Sequence, residues 1–389
     1  MAVLTLAALA SRTSLPVDET RYLAVAWEMW QRGDFLVPFR NGEAYSHKPP
    51  LLFWLIHAGW AIFGVNELTP RLVSPLCALG TVWLTSRIAK TLWPDAPWRG
   101  ECAAWVALGA MLFVVFAQML MFDTLLAFCV SIGVLGLATA AQGRARGFAL
   151  LALSIGLGVL AKGPVVLLHL LPAALLAPAW LRRAPMRWSR WYLGVVLAIL
   201  GGAAIALAWA IPAGLRGGQA YRDAIFWGQT AHRMVDSFAH RRPFWWYLPM
   251  LPILFAPWLV WMPLWRGLRN ASIYADPGVR LAALMALFTL AAFSFISGKQ
   301  VHYLVPQVPS FALLAAFALD RQQRAGRPWA AMAGLVAIAA AVLALPHVKL
   351  PPNLAALHGL SPFWALPFLA LTAWLGWSPR TPQRQVPVM

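Results

Sequence analysis

The chain has 389 residues, of which 61% are apolar and only 11% are charged, whereas soluble proteins are about 45–50% apolar and about one quarter charged. Water is therefore not its main solvent. The formal net charge of +18 would suit a nucleic-acid partner only if the basic residues formed one soluble face, and they lie instead in short breaks between apolar runs. We exclude nucleic acid and expect membrane lipids, with their anionic headgroups and phosphates, as partners.

Apolar runs recur along the whole chain, which is typical of an all-α polytopic membrane protein with about 11–13 transmembrane helices. A shorter run at residues 2–10 would give only about 14 Å of helix against a hydrocarbon core of about 30 Å, so we expect a truncated N-terminal helix. The other predicted spans lie near residues 68–92, 101–118, 123–141, 147–161, 163–181, 191–211, 244–264, 280–297, 301–319, 328–345 and 362–377.

The apolar segment at residues 51–65 decides the predicted topology, because about 22 Å of helix is too short for a clear span. If it lies in the membrane interface, the short basic loops all fall on one side, which the positive-inside rule identifies as cytoplasmic. The opposite side then receives a first outer loop, residues 12–67, and a second outer loop, residues 212–243. The cytoplasmic loops are too short to hold a nucleotide-binding domain, which disfavours a nucleotide-activated substrate.

Three carboxylates stand at the predicted membrane boundary. Asp18 and Glu19 are adjacent and begin an amphipathic stretch, and a carboxylate in a poorly hydrated site is suited to take a proton from a hydroxyl, so both are candidate general bases. The alternative is that Asp18 only caps an interfacial helix. Asp123 stands alone among apolar residues. An ionisable group is costly at membrane depth, so Asp123 is a candidate catalytic residue. The alternative is again that it only caps a helix.

The outer segments also contain cations and aromatic side chains. Lys48 precedes two prolines that restrict its backbone, so it can act as a fixed point charge for a phosphate, or else as a snorkelling lysine at a helix start. Arginine side chains bind phosphate oxygens in pairs, and aromatic rings suit a sugar face or the headgroup region. The other candidates for substrate binding are Tyr22, Tyr45, His47, Lys162, Arg233, His240, Arg241, Lys299 and Tyr303.

Histidines are the residues in these segments that could bind a divalent metal. Their spacing resembles no helical or loop zinc motif, so no cofactor is assigned and a metal site stays an open alternative. The histidines concerned are His47, His232, His240 and His302.

Taken in order, these segments resemble the signature of the membrane glycosyltransferases of the C-type fold, in the branch of the dolichyl-phosphate-mannose protein mannosyltransferases and the bacterial lipid A aminoarabinose transferases. Each segment alone is a weak signal, whereas the whole series in this order is specific. The matching segments are DETRY at 18–22, YSHKPPLL at 45–52, LAKGP at 160–164, HRRPFWWYLP at 240–249 and GKQVHY at 298–303.

The resemblance implies one transmembrane glycosyltransferase domain over residues 1–389, with interfacial helices in the first outer loop. It implies transfer of a sugar from a polyprenyl-phosphate donor to a lipid, glycan or protein, on the periplasmic face of a bacterial inner membrane. It also implies that Asp18 is the base, that Lys48 and a loop arginine hold the donor phosphate, and that Asp123 lines the cavity.

Two departures limit what the resemblance carries over. His47 stands where the family has a glutamate, which puts a carboxylate-dependent metal site in doubt. The chain ends at Met389 without the soluble C-terminal domain of several members, so the resemblance does not identify the acceptor. No oligomeric state is predicted.

The competing hypothesis is a transporter or flippase, which should show interrupted helices in two similar halves. We find no such match between halves. A relative that only binds lipid-linked sugar is a third hypothesis.

Overall fold

The protein is described by a computed structural model over residues 1–11, 13–15, 17–228, 241–320, 329–348, 361–377 and 386–387. Its α-helices are α1 (Ala2–Ser11), α2 (Asp18–Arg32), α3 (Leu51–Phe63), α4 (Leu68–Leu92), α5 (Pro97–Gly109), α6 (Met111–Ala117), α7 (Phe122–Ala140), α8 (Arg146–Lys162), α9 (Val165–Leu175), α10 (Ala177–Trp180), α11 (Trp188–Arg216), α12 (Gly218–Asp223), α13 (Tyr247–Leu254), α14 (Met262–Leu268), α15 (Pro277–Phe295), α16 (Val308–Asp320), α17 (Trp329–Ala344) and α18 (Ala365–Trp377).

Short elements complete the described part of the chain. A small antiparallel hairpin pairs β1 (Phe39–Arg40) with β2 (Glu43–Ala44), and a π-helical turn covers Ala224–Gly228. The 3-10 helices lie at Trp258–Val260, Ala271–Ala275, Val301–Gln307, Leu345–His347 and Pro362–Trp364.

The predicted all-α membrane architecture is confirmed. Within the described ranges, five helical segments are long and apolar enough to cross a membrane, and the count is six if the bent pair α5 and α6 is one span. The five are α4, α7, α11, α15 and the segment Val301–Asp320, which joins a 3-10 helix to α16. The other predicted spans correspond to shorter or broken helices.

Three predicted spans are not single straight helices. The span at 101–118 is formed by α5 and α6, bent by 65° at Ala110, whose backbone is extended. The spans at 163–181 and 244–264 contain internal prolines, and a proline removes a helical hydrogen bond and clashes with the preceding turn. They are formed by α9 with α10, and by α13, a 3-10 turn and α14.

Close packing of small residues fixes the centre of the bundle. Gly136 of α7 faces Gly147 of α8, and a Cβ atom added at Gly136 would lie 2.6 Å from the Gly147 carbonyl oxygen. On the other side of α8, a Cβ at Gly156 would lie 2.6 Å from the side chain of Ile205 in α11. Without side chains at these points the helices approach closely, as is typical of helices packed in a membrane.

The first outer loop forms a cap over one end of the bundle. Helix α2 buries Tyr22, Val25 and Met29 in one cluster with residues of α3 and with the start of α7. The cap is also tied to the end of α11, because the Trp209 indole donates to the Leu36 carbonyl oxygen at 2.9 Å. Helix α3 has 13 residues, about 20 Å, so its length agrees with the predicted interfacial segment.

The predicted cytoplasmic loops meet at the opposite end of the bundle. Gln142, after α7, bonds the Thr91 carbonyl oxygen near the end of α4. Arg99 in the first turn of α5 forms an ion pair of 2.7 Å with Asp320 at the end of α16. The fold therefore separates a capped end from an end where the basic loops gather.

Candidate functional site

Two cavities adjoin at the capped end of the bundle. We name them the polar chamber, with a volume of about 450 Å³, and the apolar chamber, of about 410 Å³. Lys48, Asp123 and Tyr303 line both of them and so form a shared wall. The other residues of the polar chamber are Val17, Asp18, Arg21, Tyr22, Gln300 and His302.

The apolar chamber lies deeper along the helices. Its surface comes chiefly from apolar side chains of α8, α11, α15 and the π-helical turn, with Ser46, His47 and His169 among its polar members. The apolar residues that line it include Leu126, Val159, Val165, Ala206, Leu207, Trp209, Ala210, Ile225, Phe226 and Phe293.

Asp123 is buried at the start of α7, where its side chain is 4% exposed and forms an ion pair with Lys162 at the end of α8. The His302 ring lies on the other carboxylate oxygen, with 3.8 Å between Nε2 and Oδ2. The Lys162 ammonium is 4.6 Å from the centre of the Tyr303 ring. The N-cap residue of α7 is Met121, and Asp123 lies within the first turn of the helix, where its carboxylate contacts Lys162 and His302 at the shared wall.

Asp18 lies in the polar chamber at the first position of α2. Its carboxylate pairs with Arg21 one turn later, and the Tyr22 hydroxyl donates to the same oxygen at 3.3 Å. Burial, and then the charge of Asp18, raise the pKa of the Tyr22 hydroxyl, so it remains a neutral donor. The candidate base is therefore oriented by two neighbours on its own helix.

Glu19 is placed differently from its neighbour and differs from the prediction that groups it with Asp18. It is 2% exposed and lines neither chamber. One carboxylate oxygen accepts from the Leu120 backbone N–H at 2.7 Å and the other from the Leu15 backbone N–H at 2.6 Å. Because these bonds join the cap to the turn before α7, Glu19 has a structural role.

Lys48 faces both chambers from the segment before α3, with its ammonium 5.4 Å from the centre of the Phe122 ring. His47 lines the apolar chamber and also an outer depression beside the hairpin. Tyr45 lines only that depression, and its ring centre is 5.2 Å from that of His47. Tyr45 is buried in the cap cluster and therefore supports this segment from behind.

Among the described residues, the predicted cations Lys299 and Arg241 do not line either chamber. Lys299 is 3% exposed, and its ammonium donates to the Arg242 carbonyl oxygen at 3.0 Å and to the Ile296 carbonyl oxygen. Arg241 forms an isolated β-bridge with Gly298. These contacts fasten the end of the second outer loop to the turn at 298–300. Arg233 and His240 lie outside the described residues.

Several polar residues of the chambers were not predicted as substrate ligands, among them Arg21, Gln300, His302 and His169. Arg21 pairs with Asp18 at a helical spacing of three, which is a signal visible in the sequence. Gln300 gave no such signal. His169 stands in an apolar run, and its Nδ1 atom bonds the Gln307 amide at 2.8 Å, whereas its buried Nε2 atom has no hydrogen-bond partner. A histidine at membrane depth is itself a signal for function.

In the described part of the chain, no group of three or more His, Cys, Asp or Glu side chains is arranged to hold a metal ion.

Comparison with known proteins gives consistent results. Residues 47–212 match the family model of dolichyl-phosphate-mannose-protein mannosyltransferase. The chain is 32% identical over 344 residues to the undecaprenyl phosphate-alpha-4-amino-4-deoxy-L-arabinose arabinosyl transferase of Pseudomonas aeruginosa (strain LESB58), covering 84% of this chain and 60% of that protein. It is 30% identical over 379 residues to the second such transferase of Pseudomonas fluorescens (strain Pf0-1), covering 92% of this chain and 65% of that protein.

This chain therefore spans less than two thirds of the length of these relatives. Among solved structures, ArnT from Cupriavidus metallidurans in the apo state has a TM-score of 0.79 at 23% identity, covering 100% of this chain and 72% of that one. The same protein bound to undecaprenyl phosphate has a TM-score of 0.75, covering 96% and 67%. These two structures share the fold described above. The chain is therefore similar to the dolichyl-phosphate-mannose-protein mannosyltransferases over residues 47–212 and to the aminoarabinose transferases over most of its own length.

Proposed function

We propose that this protein transfers a hexosyl or pentosyl group from a polyprenyl-phosphate donor to an acceptor on a lipid, glycan or protein. The observation that carries the proposal is the pair of adjoining chambers with Lys48 in their shared wall. A polyprenyl-phosphate sugar has the same layout, with an apolar chain, a polar sugar and a phosphate at the junction. We take residues 1–389 as a single domain for this activity.

The division of the donor between the chambers follows from their linings. The prenyl chain gains free energy by leaving water for the apolar chamber, in proportion to the apolar area it buries. The phosphate then lies at the shared wall, where the Lys48 ammonium can form a charge-assisted hydrogen bond with it. The sugar extends into the polar chamber beside Asp18 and the Tyr22 hydroxyl.

The reaction is a displacement at the anomeric carbon. The bond from this carbon to the phosphate oxygen breaks, and a bond to the acceptor oxygen forms. Asp18 takes the proton of an acceptor hydroxyl, and Arg21 and Tyr22 hold the carboxylate in position. Lys48 stabilises the charge that develops on the leaving polyprenyl phosphate. Asp123 fixes Lys162 and His302 at the wall between the two chambers.

The donor assignment is tested with purified protein in lipid vesicles. We expect release of polyprenyl phosphate from a polyprenyl-phosphate sugar when envelope lipids and glycans are supplied as acceptors. A nucleotide sugar without a lipid carrier should give no transfer. Transfer from the nucleotide sugar alone would overturn the proposal. Binding and translocation of the lipid-linked sugar without any transfer would favour the transporter hypothesis.

We also propose that the site faces the periplasm of a bacterial inner membrane. The gathering of the basic loops at the end opposite to the chambers supports this orientation. Single cysteines at the exposed positions Glu43 and Arg144 provide the test with a membrane-impermeant thiol reagent on intact cells. We expect labelling at position 43 and none at position 144 until the membrane is opened. The reverse pattern would contradict the orientation.

A further inference from the structure

A third cavity lies at the end of the bundle opposite to the two chambers, and we name it the basal cavity. Its volume is about 530 Å³, which is larger than that of either chamber. It is enclosed by the ends of α4, α7 and α10 and by the start of α15. None of its described lining residues lines either chamber. The basal cavity is therefore separate from the candidate catalytic site.

Two consecutive arginines, Arg182 and Arg183, supply the positive charge of the basal cavity. Both residues are exposed, and neither forms an ion pair with a carboxylate of the described part of the chain. Asp95, next to the lining residue Pro94, is exposed and does not line the cavity. Guanidinium groups present donors in a planar fork that matches the oxygens of a phosphate. The arginine pair is therefore suited to bind a phosphate group.

Asp276 is the one carboxylate among the described residues that line the basal cavity. One of its oxygens accepts from the backbone N–H groups of Gly278 and Val279 at 2.8 and 3.1 Å. The same oxygen accepts from the Trp93 indole at 2.9 Å. Its charge is thus directed to the start of α15, where a helix favours an anion. The lining has two guanidinium groups against this one carboxylate, so it has a formal surplus of one positive charge.

The rest of the lining is largely apolar. Leu92, Ala138, Ala141, Trp180 and Leu181 share the cavity with the arginines. A soluble phosphate compound would leave this apolar wall in contact with water, whereas the glycerol group and first acyl carbons of a phospholipid would cover it. Basic pockets between membrane helices bind the headgroups of anionic phospholipids. The position of the cavity, at the end where the basic loops gather, agrees with such a ligand.

We infer that the basal cavity binds the headgroup of an anionic phospholipid, with Arg182 and Arg183 holding its phosphate. The inference goes beyond the proposed function, because this binding involves neither the sugar donor nor the acceptor. A lipid bound here contacts the ends of α4 and α7 and the start of α15 together. It should therefore stabilise the folded state, as does any ligand that binds only the folded protein.

Thermal unfolding of the purified protein in a neutral detergent provides the test. The midpoint Tm is measured with increasing phosphatidylglycerol, with the zwitterionic phosphatidylcholine, and with inorganic phosphate at the same concentrations. We expect phosphatidylglycerol to raise the Tm by about 3 °C or more at saturation. Phosphatidylcholine and inorganic phosphate should each give less than about one third of that shift, because the first lacks net negative charge and the second lacks an apolar part.

Two double variants assign the effect to the basal cavity. Arg182→Gln with Arg183→Gln removes the phosphate ligands and should abolish most of the shift. Arg187→Gln with Arg190→Gln is the matched control, because it removes the same charge from exposed positions that do not line the cavity, and it should retain the shift. All four residues are exposed, so both variants should fold. Ala141→Phe fills the cavity without changing its charge and should also reduce the shift.

Three outcomes would overturn the inference. Equal shifts in the two double variants would show that phosphatidylglycerol responds only to the net charge of the protein. A shift with inorganic phosphate as large as that with phosphatidylglycerol would show that the cavity takes a soluble anion. A larger shift with polyprenyl phosphate than with phosphatidylglycerol, lost in the Arg182 and Arg183 variant, would assign the cavity to the carrier lipid. None of these measurements requires glycosyl transfer, so failure of the proposed function would leave them interpretable.

Discussion

The two chambers have similar volumes, about 410 and 450 Å³, and opposite linings. The polar chamber is built from the ends of elements, with Asp18 at the start of α2 and His302 in the 3-10 helix after the turn at 298–300. The apolar chamber also takes residues from within helices, such as Leu126 of α7 and Ala206 of α11. Depth along the bundle therefore separates the polar part of the site from the apolar part. The charged groups lie near the ends of helices, and many of the apolar groups lie further along them.

The largest effect is expected from removing the candidate general base of the polar chamber. Asp18→Asn retains the shape of the side chain and removes the proton acceptor, so kcat should fall by about 10²–10⁴-fold. Donor affinity should change little, because the donor phosphate lies at Lys48. Steady-state rates and a donor-binding assay on the same preparation measure both quantities.

Glu28→Gln is the matched control for this substitution. Glu28 lies on the same helix and pairs with Arg32 outside the chambers, so its kcat should stay within twofold of the wild type. Near wild-type turnover in Asp18→Asn would show that another group takes the proton.

The next effect concerns the shared wall. Asp123→Asn leaves the Lys162 ammonium buried without its counter-charge, so the free energy of unfolding should fall by about 3–5 kcal/mol. Unfolding in SDS micelles measures this loss. The double variant Asp123→Asn with Lys162→Met should recover part of the stability, because it removes both charges. Additive losses from the two single substitutions would argue against a coupled pair.

The third effect separates donor binding from chemistry at the same wall. Lys48→Ala should weaken binding of a polyprenyl-phosphate donor by about 1.5–3 kcal/mol, the contribution of one charge-assisted hydrogen bond. Equilibrium binding of a non-hydrolysable donor analogue measures it. Lys90→Ala removes an equal charge near the end of α4, far from the chambers, and should leave affinity unchanged. Normal donor binding by Lys48→Ala would show that the donor phosphate does not bind at Lys48.

The smallest effect is expected from filling part of the apolar chamber. Ala210→Phe places a ring in the apolar chamber and should weaken binding of a long-chain donor by about 1–2 kcal/mol through lost apolar burial. A donor with a two-isoprene chain should lose less. Leu200→Phe on the same helix is exposed on its outer surface and serves as the control. Equal losses of affinity for both donors would show that the prenyl chain does not bind in this chamber.

Much of this site could be predicted from the sequence because its charged residues stand near the ends of elements, in local motifs. Asp18, Lys48 and Asp123 were each identified by an unusual charge beside an apolar run, and the structure brings all three to adjoining cavities. The breaks in the spans at 163–181 and 244–264 were also visible as internal prolines. Their effect on helix length was underestimated because hydropathy alone defined those spans.

The roles of individual charges were harder to predict because their partners are distant in the chain. Glu19 and Asp18 are adjacent and chemically alike, but the Leu120 backbone that bonds Glu19 lies 101 residues away. Lys299 bonds a carbonyl oxygen of a residue 57 positions earlier. Likewise, the separation into two chambers results from contacts among α8, α11 and the cap, which no local pattern encodes.

The central claim is that the prenyl chain of the donor occupies the apolar chamber while its phosphate lies at Lys48. Photocrosslinking tests it directly, with a polyprenyl phosphate that carries a diazirine on the isoprene unit nearest the phosphate, followed by peptide mapping. We predict labelling of apolar-chamber residues such as Val159, Ala206 and Phe293, abolished by excess unlabelled polyprenyl phosphate. Competable labelling at the opposite end of the bundle, around Thr91 and Trp180, with none in the apolar chamber, would contradict the account.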